Sequence, residues 1–464
     1  MTMVMIPRRQ GVSQAHSIVH PTYAIMEVGN PFQTHGRGLF TAKMPIRFTR
    51  DQLTRFLIDK QALALDAQVD LRETPLTDLI QRIGVLRASA PSGPYLSLAA
   101  RCHAFERQDL DHALYSERSL LRTPAMNARW FIVPRDAYTA YRAVTVDSRL
   151  DPMGDLGVLL LQAMPGAAAT QQSEELARRV LEVLSSGQPM TIDELAHWLP
   201  MLDERVYHDP DLPERGSSRL GTRLIPAMCA RGLLVRVQPA FGWKSTQYRY
   251  ASLSAWLPDL DMTRIDRHDA LRRLVEDAIR AFGPLTLGDL AHWLGGVKRR
   301  ELSSAVMSLG SRVCHIQLED SDGDCLVSTS DLDALTLSRS ETGVALLPPG
   351  DGLLSAFADL SRFCPEPHAS RLTDRVGEPY GTIWLDSEIV GTWGIQTREE
   401  RISIRFFEAA SPELWATVGE RARRLARTLD MEASLDMQIE QDDEAETPRE
   451  PHPESAPDLL PERG

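Results

Sequence analysis

The spacing of hydrophobic and polar residues repeats along the middle of the chain. The segment Pro189–Pro200, PMTIDELAHWLP, returns as Pro284–Gly295, PLTLGDLAHWLG, and the matched positions are offset by 95 residues. The shared positions include the apolar residues at helical spacing as well as the His-Trp-Leu ending. A chain that repeats a segment of this length contains duplicated modules.

Each copy has the pattern of three helices followed by two strands. In the first copy the predicted elements are Glu174–Leu184, a short helix capped by Thr191 with Glu194, Arg219–Ala230, Leu233–Val237 and Gln247–Tyr250. In the second copy they are Leu271–Phe282, Thr286–Trp293, Lys298–Leu309, Val313–Leu318 and Cys325–Ser328. The residues Ser321–Asp324 predict the turn of the second hairpin. This order is that of a winged helix-turn-helix, whose third helix suits the DNA major groove and whose wing suits the backbone.

The rest of the chain extends this organisation to an α+β fold with tandem winged helix-turn-helix modules and a C-terminal β-rich subdomain. Thr49 and Gln52 predict the cap of the first helix, and Pro412–Leu429 predicts the last one. The expected parts are a flexible extension (1–45), an N-terminal helical or winged-helix module (46–165), winged helices at 170–260 and 265–335, the β-rich subdomain (340–429) and an acidic disordered tail (430–464). Residues 1–43 are either such an extension or the result of an upstream start site.

Charge is concentrated at the C-terminus. The formal net charge of the chain is -13, and residues 430–464 contain 12 acidic residues against Arg449 and Arg463, so the body carries only about -3. A Pro- and Glu-rich segment without aromatic residues is typical of disorder. The tail serves either solubility or competition with DNA. Because Lys occurs only at positions 43, 60, 244 and 298, nearly all cationic contacts are expected from Arg.

Composition also bears on location and cofactors. The five Cys residues include no C-x-x-C pair, which argues for a reducing cytoplasm and against a zinc site or a disulfide framework. No apolar run approaches the roughly 20 residues that span a bilayer. We therefore expect a cytoplasmic, nucleoid-associated monomer without metal or cofactor. His197 and His292 are interpreted as packing or surface residues.

Several motifs occur in an order that resembles a known family. They are Arg82–Leu86, Tyr95–Leu98, Asp109–Leu114, Arg118–Thr123, Met126, Leu346–Pro349 with Asp351, and Val390–Trp393. Together they resemble the winged-helix DNA glycosylases of the AlkZ/YcaQ type over about residues 46–428. The resemblance implies tandem winged helices around duplex DNA and metal-free release of alkylated or crosslinked bases.

The resemblance breaks at the residues that carry the chemistry. The family has Gln-x-Gln or Gln-x-Asp directly after the position of Val85-Leu86, whereas this chain has Arg87 and Ser89. A family His is replaced by Phe131. Arg has no hydrogen-bond acceptor for a catalytic water and opposes the positive charge that develops on the sugar.

The sequence therefore predicts a duplex-DNA-binding protein with weak or lost catalysis. The cations assigned to DNA binding are Arg87, Arg122, Arg129, Arg219, Arg223, Lys244, Lys298, Arg299 and Arg300. Two alternatives stay open. The first is an active glycosylase with a relocated acid such as Glu106 or Asp109. The second is a transcriptional regulator or interaction scaffold, because winged helices also bind proteins.

Overall fold

The structure, a computed structural model, describes most of the chain between the two termini. The described residues are 47–64, 67–145, 169–207, 216–263, 265–319, 323–337, 343–364, 367–375 and 377–440. The predicted extension 1–45 lies outside these ranges, as do the turn residues 320–322 of the predicted second hairpin.

One arrangement of elements occurs three times. In the first unit it comprises α2 (Leu76–Ile83), β2 (Leu86–Arg87), α3 (Gly93–Ala99), α4 (Arg107–Asp111), β3 (Leu120–Pro124) and β4 (Trp130–Pro134). β3 and β4 form an antiparallel hairpin, and β2 pairs with β4, the second strand of that hairpin. The unit is thus helix, short strand, helix, helix and hairpin.

The two copies predicted from the repeat have the same order of three helices and a hairpin, with a single bridging residue in the place of β2. The second unit comprises α6 (Ala169–Val183), α7 (Ile192–Trp198), α8 (Gly221–Ala230), β7 (Leu234–Pro239) and β8 (Tyr248–Ser252). The third comprises α10 (Arg267–Phe282), α11 (Leu287–Leu294), α12 (Arg299–Leu309), β9 (Val313–Leu318) and β10 (Asp324–Ser328). Met190 bridges to Tyr250 on β8, and its counterpart Leu285 bridges to Leu326 on β10. The duplication read from the sequence is therefore also a duplication of strand pairing.

The predicted helix caps are present. Thr191 accepts a hydrogen bond from the Glu194 amide while the Glu194 side chain accepts one from the Thr191 amide, and Thr286 with Asp289 does the same in the third unit. Thr49 and Gln52 cap α1 (Arg50–Lys60) in this way. Such reciprocal bonds satisfy amides that a helix start leaves unpaired.

One predicted helix start is wrong. The third helix of the second unit begins at Gly221, and Arg219 lies instead in β6 (Ser217–Arg219), which pairs with β5 (Arg205–Tyr207). Further short helices and strands before residue 340 include β1 (Arg47–Phe48), α5 (Tyr138–Thr145), α9 (Leu253–Trp256) and α13 (Leu332–Thr336).

Strand pairing joins the units to each other. The hairpins of the first two units share one sheet of order β2-β4-β3-β7-β8, in which Arg122 pairs with Arg236. β1 runs parallel to β9 and places Phe48 against the hairpin of the third unit. The start of the described chain is thereby fixed to residues far along the sequence.

The C-terminal part is a sheet covered by a helix. The sheet has the order β11 (Val344–Leu347), β12 (Gly381–Leu385), β13 (Glu388–Gln396), β14 (Arg401–Phe406) and β15 (Ser434–Ile439). The helix α14 (Pro412–Thr428) packs against β11 and α3. β15 pairs in parallel with β14 along six residues. The predicted tail boundary at 430 is therefore wrong, because Leu435 and Met437 pack against the core.

A buried ion pair connects the first unit to the C-terminal part. Arg101, directly after α3, donates to both carboxylate oxygens of Asp351 at 2.8 and 2.9 Å, and both side chains are almost fully buried. Ser97 donates to Asp351 at 2.7 Å, and Gln61 accepts from Arg101 at 3.1 Å. A buried charge pair persists only when its remaining donors and acceptors are satisfied in this way.

Within the described ranges, none of the helices has both the length and the apolar composition that a membrane span requires.

Truncation tests the corrected boundary. A chain ending at Glu440 keeps β15, whereas a chain ending at Asp430 exposes the edge of β14 and the apolar residues under β15. We expect the melting temperature to fall by several degrees only for the shorter chain, as measured by calorimetry. Equal melting temperatures of the two truncated proteins would contradict a structural role for β15.

The buried ion pair predicts a specific dependence on pH. Burial favours a higher pKa of Asp351, but the Arg101 guanidinium and the hydrogen bonds outweigh burial and hold this pKa below its usual range. A depressed pKa contributes stability that is present at neutral pH and is lost as the pH falls below about 4. Asp351→Asn should lower the free energy of unfolding at pH 7 by roughly 3–5 kcal/mol.

The matched control is the double variant Asp351→Asn with Arg101→Met, which removes the unpaired cation as well. Denaturant unfolding should show the double variant to be more stable than Asp351→Asn alone. A double variant that is less stable than the single one would show that the loss comes from packing and not from an uncompensated charge.

Candidate nucleic-acid interface

Arg87, which stands at the first Gln position of the expected Gln-x-Gln or Gln-x-Asp motif, lies inside the protein. It is the second residue of β2, is 8% exposed, and donates to Ser355 Oγ at 2.9 Å and to Glu378 at 2.7 Å. Burial lowers the pKa of Arg87, and Glu378 offsets this in part. The Nε atom of Arg87 has no hydrogen-bond partner among the described residues. Arg87 is thus a buried ion-pair residue, and we correct the expectation that it meets DNA phosphate.

Glu378 holds a second arginine. Arg129, in the turn of the first hairpin, pairs with the other carboxylate oxygen of Glu378. The Arg129 side chain is 24% exposed and that of Glu378 is 12% exposed. The group Arg87–Glu378–Arg129, called here the arginine–glutamate cluster, carries one net positive charge. Arg129 is consequently committed to Glu378, contrary to the expectation of a free DNA contact.

The two departures from the family pattern are neighbours in the sheet. Arg87 on β2 is directly paired with Phe131 on β4. Phe131 is 5% exposed, whereas Ser89 lies exposed in the loop before α3. The residues at the motif thus present a buried cation and an aromatic ring side by side, with one exposed hydroxyl.

Glu378 is the residue that sequence reasoning missed. It comes from a turn in which its own amide donates to Asp374 at 2.8 Å, and no motif marks that turn. A buried Arg requires an acceptor, but the sequence does not say which of its carboxylates provides one. The suggested acids Glu106 and Asp109 form the cap of α4 instead, where Asp109 accepts from the Glu106 amide at 2.8 Å.

Arg122 does not face solvent. It is 2% exposed on β3 and donates to the Tyr248 hydroxyl at 2.6 Å. Arg236, its partner across the sheet, stacks on the rings of Tyr248 and Trp130 at 3.8 and 4.3 Å. The prediction that Arg122 binds DNA is therefore wrong, because this side chain joins the first two units internally.

The cations of the second unit are also engaged. Arg219 pairs with Asp193 and Asp203. Arg223 is half-buried, donates to Ser218 at 2.7 Å, and has a pKa lowered by burial. Lys244 lies 3.5 Å from Glu400. The third helix of this unit thus does not offer DNA the cations that its sequence suggested.

The third unit differs in this respect. Lys298, Arg299 and Arg300 are exposed at the start of α12, and they have no ion pair or side-chain hydrogen bond to other described residues. Backbone amides are also unpaired at a helix start, and both features favour a phosphate. Of the cations proposed from sequence, these three are the ones positioned to meet an anionic partner.

The repeated His-Trp pair has diverged between the copies. Trp293 is 5% exposed and packs edge-on against Phe282 at 5.8 Å, whereas Trp198 is 63% exposed. His197 and His292 are both exposed, as expected for surface residues. Among the described residues, no group of three or more His, Cys, Asp or Glu side chains could hold a metal ion.

Comparison with known proteins identifies the family. The model of the family AlkZ-like, described as DNA glycosylase AlkZ-like, matches residues 80–428. The chain belongs to the AlkZ-like DNA glycosylase family. The match extends from α2 to the end of α14, so it includes all three units and most of the C-terminal sheet.

A solved structure gives the same fold. The Streptomyces sahachiroi DNA glycosylase AlkZ superposes with a TM-score of 0.65 at 19% identity, covering 85% of this chain and 100% of that chain. At this identity the likeness shows the fold alone. None of the curated proteins matches this sequence significantly.

The free cations of α12 generate a prediction for this AlkZ-like protein. Replacing Lys298, Arg299 and Arg300 together by Ala should weaken binding to duplex DNA and flatten its salt dependence. Each lost phosphate contact lowers the slope of log K against log salt by about one unit, so we expect a decrease of about two to three. Fluorescence anisotropy across a salt series measures this slope.

The matched control removes three exposed arginines elsewhere, Arg72, Arg178 and Arg179. It changes the net charge equally but should leave the slope almost unchanged. Equal slopes for the α12 variant and the wild type would mean that α12 does not contact DNA.

Proposed function

We propose that this protein binds duplex DNA, including alkylated or crosslinked DNA, and has weak or lost base-excision activity. The observation that carries the proposal is the arginine–glutamate cluster at the motif position of a DNA glycosylase family. Both Arg87 and Arg129 form ion pairs with Glu378. The two motif positions hold Arg87 and Ser89 and therefore provide neither the Gln nor the Asp side chains of the family.

Charge at the cluster opposes the chemistry. Base release develops positive charge on the sugar and requires an acceptor for the attacking water. A guanidinium about 4 Å from such a cation costs on the order of 1–4 kcal/mol, which is up to about a thousandfold in rate. The net charge of the cluster is positive, so Glu378 does not remove this penalty. The exposed Ser89 hydroxyl can hold a water but is a poor base.

DNA binding is supported by the repeated architecture. We infer that the three units are winged helices, since each has three helices and a hairpin whose second strand also pairs with the segment between the first two helices, and that α12 contributes phosphate contacts. The protein would act as a monomer in the cytoplasm, associated with the nucleoid, without metal or cofactor. In DNA repair, the protein would then recognise damaged sites in duplex DNA.

A second candidate function is retained excision with a relocated acid. The observation that favours it is Glu378, a carboxylate that touches Arg87 although it comes from the C-terminal part of the chain. In that reaction Glu378 would accept the proton of the attacking water as the glycosidic bond breaks. This candidate replaces Glu106 and Asp109, which cap α4.

The deciding experiment is base release from N-alkylated duplex DNA, with free base and abasic sites both quantified. We expect little release by the wild type. Arg87→Gln with Ser89→Gln, which restores the family residues, should raise it by removing a cation and adding acceptors. Glu378→Gln separates the two candidates, because it abolishes release only if Glu378 accepts the proton of the attacking water.

Robust release by the wild type that is lost in Glu378→Gln would establish the second candidate. Binding should also be measured with alkylated and unmodified duplexes of one sequence. A preference for the alkylated duplex supports a damage reader, whereas equal affinities would point to a regulator. Because the proposed reaction uses no metal, a chelator can be present throughout to suppress nuclease contamination.

A further inference from the structure

The hairpins of the three units have different surroundings. In the first unit the hairpin turn contacts the third unit and the C-terminal part of the chain. Asn127 donates to the carbonyl of His292 at 3.3 Å, Gly295 lies against the Asn127 side chain, and Arg129 pairs with Glu378. Asn127 and Arg129 in this turn are thus already engaged by contacts within the protein.

The hairpin of the third unit is acidic. Between the ends of β9 and β10 the sequence contains Glu319, Asp320, Asp322 and Asp324. Four acidic residues within six positions of the sequence disfavour the approach of duplex phosphates. The third unit can therefore approach DNA through α12 but not through its hairpin.

The hairpin of the second unit is the one suited to DNA. Its turn, residues 240–247, reads AFGWKSTQ and contains no acid, and its one Lys lies 3.5 Å from Glu400. Phe241 stands at the tip with 76% of its surface exposed. Gly242 beside it has φ +81°, a conformation that turns the chain sharply at little cost for glycine.

Contacts at the base hold this tip in place. Trp243 packs edge-on against Tyr95 at 6.3 Å, and Tyr95 is buried and donates to Asp111 at 2.7 Å. Across the turn, the Ala240 amide donates to the Gln247 carbonyl at 2.8 Å. Tyr95 belongs to α3, which begins shortly after the exposed Ser89. The exposed ring of Phe241 thus belongs to a turn that packs against α3, the helix that follows Arg87 and Ser89 in the sequence.

We propose that Phe241 is a stacking residue that inserts beside a nucleobase when the protein binds a duplex with a weakened base pair. An apolar ring on a turn without acids can enter between bases, and every base has a face on which it can stack. The third unit provides cations through a helix, and the second provides a ring through a hairpin. This inference rests on the proposed function, since it requires DNA binding.

The test compares Phe241→Ala with Phe241→Trp, which keeps an aromatic face. Affinity is measured by fluorescence anisotropy for a matched duplex and for the same duplex with one mismatch. Phe241→Ala should weaken binding to the mismatched duplex by roughly 5- to 100-fold and to the matched duplex less, while Phe241→Trp retains affinity. The salt slope should not change, because no charge is lost.

A fluorescent 2-aminopurine beside the mismatch gives a second readout. Stacking by Phe241 should alter its emission when the wild type binds, and Phe241→Ala should abolish that change. The control is Leu337→Ala, which removes another exposed apolar side chain, 77% exposed, at the end of α13. Both Ala variants should melt at the wild-type temperature.

The outcomes separate this inference from the proposed function. If the wild type binds neither duplex, the proposed function and this inference both fail. If it binds but Phe241→Ala binds as the wild type does, only the stacking role is overturned. Equal weakening on matched and mismatched duplexes with a changed salt slope would likewise overturn stacking, since that pattern belongs to lost electrostatic contacts.

Discussion

The ion pair between Arg101 and Asp351 is the constraint on which the candidate interface depends. It fixes the segment after β11 against α3, and the same segment carries Ser355, whose hydroxyl donates to the Asp351 carbonyl and accepts from Arg87. Together with the packing of α14 against α3, this buried charge pair joins the first unit to the C-terminal part. The partners of Arg87 are brought to the motif position by this docking and not by local sequence.

Local signals predicted most of the elements. Capping pairs and helical spacing gave α7, α11 and α12 almost to the residue, because these signals act within one or two turns of helix. Where competition from a distant strand or carboxylate decided the outcome, prediction was poorer. Arg219 entered a strand, and Ser434–Ile439 joined a sheet although its composition resembled a disordered tail.

Exposure of the cations was the least predictable property of the interface. A guanidinium that binds phosphate also fits a carboxylate or an aromatic ring. Arg122 meets Tyr248, Arg129 meets Glu378, and Arg300 stays in solvent, yet the three look alike in sequence. Their partners lie on other units, so only the fold distinguishes them. The sequence already showed that Phe131 replaces the family His. It did not show that Phe131 lies opposite Arg87 in the sheet.

The parallel pairing of β1 with β9 has a consequence for synthesis of the chain. Phe48, Leu53 and Phe56 share a small core with Ile316 and its neighbours. At about 5–20 residues per second, a ribosome needs roughly 10–50 s to pass from one side of this core to the other. During that interval the nascent chain exposes three large apolar side chains without their native cover. Chaperones that bind emerging apolar segments would therefore have a target in residues 48–56.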